Sequence, residues 1–175
     1  MTASTRKVVR QDIVRSGIAT GLVGFAVVAF VIAVLNIDAG RSPFYTAALF
    51  GSALFYHLTD PATLVITPGP VFAYNALHLT VFLGVGLLVS WLVSVAERYP
   101  AVLYLVLFAL LFVAAHMILA LIMFAQPLLG TAGAWQVVLA SLAAALTMAW
   151  YVWRTHPILQ HELRDTPLGA VPEDF

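Results

Sequence analysis

From Gly17 to Leu35, Val71 to Val95, Ala101 to Ala125 and Ala134 to Trp153, the chain contains no Asp, Glu, Lys or Arg. A helix rising about 1.5 Å per residue needs about 20 residues to cross a hydrocarbon core about 30 Å thick, and each run has roughly that length. Inside lipid the backbone finds no water, so such runs are confined to helices, whose hydrogen bonds are internal. The expected class is an all-α integral membrane protein built as a four-helix transmembrane bundle. Charge content agrees: 9% of the 175 residues are charged, against about 25% in an average soluble domain.

Prolines punctuate the runs. Pro70 and Pro100 open the second and third, where a missing N–H does no harm, and Pro127 and Pro157 follow the third and fourth. The first run has a basic flank, but no Ala-x-Ala site precedes Asn36, so it is expected to stay as a membrane anchor. Between the first two runs lies "SPFYTAALFGSALFYHLTD", with Ser42 as N-cap, Pro43 at the first helical position and Pro61 as the stop. A helix over 43–58 is marginal for a full span.

The basic residues decide its placement. If 43–58 does not cross, Arg6, Lys7, Arg10, Arg15, Arg98, Arg154 and Arg164 share one side and only Arg41 lies on the other. Crossing would divide them four against four and erase the positive-inside asymmetry. The expected organisation is a cytoplasmic segment 1–16, one membrane domain 17–153 and a cytoplasmic tail 154–175, in the cell (inner or plasma) membrane. Residues 37–69 then form an outer-face insertion whose short helix is interfacial or re-entrant. Small residues at Gly17, Gly21 and Gly24, and at Ala140, Ser141, Ala143, Ala144 and Ala145, suit close helix packing. Closure of the chain's own bundle accounts for them more simply than an oligomer contact.

With no Asp, Glu, Lys or Arg at depth, pumps, proton-coupled transporters and voltage sensors are disfavoured. Histidine is the ionisable type that remains. His78 lies eight residues after Pro70, and His116 nine before Ala125. Reflection about the hairpin at Arg98 brings the two within about 5 to 6 Å in depth, in the outer half. Tyr74 and Asn75 lie one turn before His78 and line a similar face. Three uses of the pair are open: axial ligation of haem b, a copper or other metal site, and interhelical hydrogen bonding. A metal could also draw on Met117 or Met123, and on His57 with Asp60 from the outer insertion. Asp60 before Pro61 is equally an ordinary turn former.

Other chemistry is excluded more firmly. Eight basic and eight acidic residues cancel with no basic run, which leaves no nucleic-acid footprint. The absence of cysteine removes thiolate metal sites and covalent haem. No G-x-S-x-G, H-E-x-x-H or phosphate-cradling glycine loop is present, so an enzyme by itself is not expected. These features predict a small multi-pass protein serving as a non-catalytic accessory or interaction subunit of a larger membrane complex. Its partners would be the bilayer and other membrane proteins or further copies of itself. One alternative is a b-type haem electron-transfer or quinone-linked membrane anchor using His78 and His116. Another is an outer-facing metal or small-molecule binding protein or carrier.

Overall fold

The computed structural model describes the backbone of residues 3–98 and 103–156, with side chains over 12–97 and 133–156 and at Leu111, Ala115, Leu119 and Leu128. Four helices follow in order: α1 (Ala3–Asp38), α2 (Tyr45–Tyr56), α3 (Pro68–Arg98) and α4 (Leu103–Thr155), with a 3-10 turn at Pro61–Thr63. Among the described residues, Asp12–Asp38, Pro68–Glu97 and Gly133–Thr155 are long and apolar enough to cross a membrane. They fit a bilayer environment. The predicted run 101–125 lies in the part of α4 whose side chains are mostly outside the described residues.

Close backbone approach holds α1 to α3. A methyl built on Gly17 would stand 2.8 Å from Leu87 Cα, and one on Gly86 would stand 2.5 Å from Gly21 N. Only glycine lets two helices meet this tightly, and in lipid such packing is the main source of association. The small-residue face of α1 is therefore used within the chain. Ser90, buried on α3, donates to Ser16 Oγ at 3.3 Å across the same seam.

The last third of α4 packs alongside. Ala140, Ala144, Met148 and Val152 recur every four residues and are buried, so they form one stripe facing the bundle. Met148 meets the Gly24 position of α1, and Val152 joins Val93 and Ala96 of α3 in one cluster. This segment thus runs from the α2 end of the bundle toward the end where α3 finishes.

The sequence predicts two helices, 101–125 and 134–153, with a break after Pro127; the structure has one helical run in their place. It is not straight. A straight helix from Leu103 to Val152 would measure about 74 Å at 1.5 Å per residue. Yet Val152 packs with Ala96, and the seven-residue step from Ala96 to Leu103 reaches at most about 25 Å. The run therefore folds back between its ends. Pro127, Gly130 and Gly133 lie near its middle, and an interior proline both removes a helix hydrogen bond and clashes with the preceding turn.

α2 is shorter than the predicted 43–58, with 12 residues. At about 18 Å it falls short of a hydrocarbon core. It lies on α3, where Gly51 permits contact with the Pro70 backbone. His57 ends it in the left-handed conformation (φ 57°), and Leu58 N–H closes the turn on Ser52 O at 3.1 Å.

Candidate functional site

At the α2 end, Tyr74, His78 and Phe82 follow one another at helical i, i+4 spacing and stack into a column. The Tyr74 and His78 ring centroids are 5.2 Å apart, and His78 and Phe82 are 5.0 Å apart. Phe50 of α2 stacks on Tyr74 at 5.6 Å, while Phe25 of α1 presents an edge to His78 at 5.9 Å. Rings from α1 and α3 thus contact the imidazole, and Phe50 of α2 extends the stack one ring beyond Tyr74. Among the described residues, His78 makes these ring contacts and no hydrogen bond.

Beside the column opens a cleft of about 110 Å³, walled by Ala29, Ala33, Phe44, Thr46, Asn75 and His78. That volume holds three or four waters at about 30 Å³ each. Ordinary small-molecule sites begin near 300 Å³, so this cleft admits a small group and not a macrocycle. Asn75 donates from Nδ2 to Val71 O at 2.8 Å, which leaves its carbonyl as an acceptor. Asn36, fully buried, anchors the roof: Thr46 Oγ1 donates to its Oδ1 at 3.1 Å, and its Nδ2 donates to Pro43 O at 3.3 Å.

The structure brings Tyr74, Asn75 and His78 to one place. The side chains of His116, Met117 and Met123 lie outside the described residues. His57 is exposed at the end of α2, and Asp60 Oδ1 accepts from Ala62 N at 2.9 Å as the cap of the 3-10 turn. Among the described residues no three His, Asp or Glu side chains are grouped to hold a metal ion.

A second cleft occupies the opposite end, with a volume of about 810 Å³. All three apolar helices supply it: Asp12 and Arg15 from α1, Ser94 and Glu97 from α3, and Tyr151 from α4 with His156 just past its end. No ion pair joins Asp12, Arg15 or Glu97 to another described residue. The His156 Nδ1 lies 3.0 Å from Val152 O and donates to it, so the neutral ring keeps an acceptor lone pair on Nε2.

Sequence reading by runs and motifs overlooked this cleft, although a signal was present. Asp12, Arg15, Ser16 and Ala19 sit at i, i+3, i+4 and i+7 on α1, and Ser90, Ser94 and Glu97 at i, i+4 and i+7 on α3. Each set marks a polar stripe on one helix face at the boundary of an apolar run. Comparison with family models, with curated proteins and with solved structures gives no match. The two clefts and the packing between them carry the functional reading.

Proposed function

We propose that the chain is a four-crossing membrane subunit, both termini in the cytoplasm of the cell (inner or plasma) membrane, acting through partner membrane proteins rather than through chemistry of its own. The observation that carries this reading is the interior of the spans. Glycine, alanine and hydroxyl side chains line its close contacts, and no Asp, Glu, Lys or Arg stands within the apolar runs. A four-crossing path is supported by chain geometry. Residues 133–155 run from the α2 end toward the end where α3 finishes, and a fourth crossing by 103–132 would join those two ends. The basic residues favour the same sidedness.

Two measurements test this. The chain has no cysteine, so single introduced cysteines report sidedness cleanly. Ser4→Cys and Glu173→Cys are expected to label from the same side and Ser42→Cys from the other; opposite labelling of the two termini rejects four crossings. Extraction in mild detergent is expected to recover the chain at fixed stoichiometry with other membrane proteins. A lone monodisperse monomer rejects the subunit role.

A second reading is a tetrapyrrole or metal on His78, favoured by an imidazole that has ring contacts and no hydrogen bond among the described residues. The small cleft beside it weighs against a macrocycle on that face. A Soret band lost in His78→Ala would establish haem, and a colourless, metal-free preparation would eliminate both ligands.

A further inference from the structure

We infer that the large cleft at the Asp12–Glu97 end binds a small zwitterion, in which a phosphate and a primary ammonium lie a few ångströms apart, as in an ethanolamine phosphate headgroup. Charge balance leads to this ligand. Asp12 and Glu97 give two negative charges and Arg15 one positive, and none is ion-paired within the described residues. A pure anion would meet a net negative wall among the described residues. A pure cation would leave Arg15 uncompensated. A zwitterion satisfies both signs, with the guanidinium gripping phosphate oxygens in its bidentate geometry and the carboxylates accepting ammonium protons. Tyr151 adds a hydroxyl donor for a remaining phosphate oxygen, while Ser94 Oγ, which donates to Trp91 O at 2.9 Å, and His156 Nε2 add acceptors for the ammonium.

Size and position agree. The volume of about 810 Å³ lies inside the roughly 300–1,000 Å³ range of small-molecule sites. The cleft opens where three apolar spans end, the level at which lipid headgroups sit, and Ile13 and Ala19 on its wall continue toward the apolar faces. A trimethylated ammonium has no proton to donate, and Tyr151 by itself does not make the aromatic cage that such a group prefers. The site therefore discriminates ethanolamine from choline.

The test uses the full chain in detergent with three probes: a short-chain diacyl phosphoethanolamine, its phosphocholine counterpart and free phosphoethanolamine, with bound ligand counted by native mass spectrometry. The short-chain phosphoethanolamine is expected to bind at least about tenfold better than the phosphocholine, the scale of a charge-assisted hydrogen bond. Asp12→Asn with Glu97→Gln is expected to abolish that preference, and Arg15→Gln to weaken both lipids. Helical circular dichroism and monodisperse elution confirm that each variant remains folded. If free phosphoethanolamine binds as well as the lipid, the natural ligand is a soluble zwitterion; if it does not, the ligand is a lipid headgroup. Failure of all probes to bind, equal binding of the two lipids, or full binding by the charge variants would overturn the assignment.

Discussion

Gly86→Leu is expected to yield no monodisperse protein, and Gly86→Ala to lower the thermal midpoint in detergent by several degrees. The methyl of an alanine here would stand 2.5 Å from Gly21 N and 2.8 Å from Gly21 Cα, and it would also collide with Gly17 O. All three are backbone atoms, so no rotamer change relieves the clash. The helices have to separate, and overpacking of this kind costs typically about 1–3 kcal/mol for a small insertion. Separation also stretches the Ser90–Ser16 hydrogen bond in the same seam. Gly84 provides the control, two residues away in the same span, because no described residue lies within 4 Å of a methyl built there. Gly84→Ala is expected to be neutral or slightly stabilising, since glycine within a helix costs about 0.5–1 kcal/mol relative to alanine. Equal midpoints for Gly84→Ala and Gly86→Ala would show that the α1–α3 contact does not hold the bundle together.

Helical class and the extent of α3 were legible in the sequence because both rest on the uncharged runs, a signal that lipid makes nearly absolute. By contrast, α1 begins at Ala3, well ahead of the Gly17 start of its run, in a charged stretch read as a separate cytoplasmic segment. Glycine packing was legible in kind but not in partner: Gly17-x-x-x-Gly21 announces a contact face, whereas its counterpart at Gly86 and Leu87 depends on how α3 is rotated. The column at His78 was half visible. Tyr74, Asn75 and His78 follow from i, i+4 spacing, but Phe25 and Phe50 come from other helices, and no local pattern ties them to His78. Asp12, Arg15, Glu97 and His156 were hardest, since they lie at run boundaries where polar residues are ordinary. Only the convergence of three helix ends turns them into a cleft. Pro127 marks the stretch where the run folds back but not a gap in helical structure, because neighbouring helices and local backbone adjustment re-satisfy the groups a proline frees in a membrane setting.

Asn36→Leu is expected to loosen α2 from the bundle, with a large rise in the accessibility of residues that α2 now buries. Asn36 is fully buried and accepts from Thr46, donates to Pro43 O and, through its own carbonyl, accepts from Arg41 N at 2.8 Å. Leucine keeps the size and removes both side-chain bonds, leaving the Thr46 hydroxyl and the Pro43 carbonyl without their partner. Each such loss costs about 1–3 kcal/mol when the group stays buried. Ser52→Cys, nearly isosteric at a site only 7% exposed, reports the opening as thiol labelling in a chain otherwise free of cysteine. Labelling is expected to quicken by about tenfold or more, the change produced by about 1.4 kcal/mol of lost opening free energy. Thr46→Val alone orphans Asn36 Oδ1, so combining it with Asn36→Leu should cost less than the two separate changes added together. Strict additivity, or labelling unchanged from the parent, would show that α2 is held by Gly51 and its apolar contacts instead. Because Pro43, Phe44, Thr46 and Ala47 wall the cleft beside His78, the same variants also decide whether access to that imidazole is governed by Asn36.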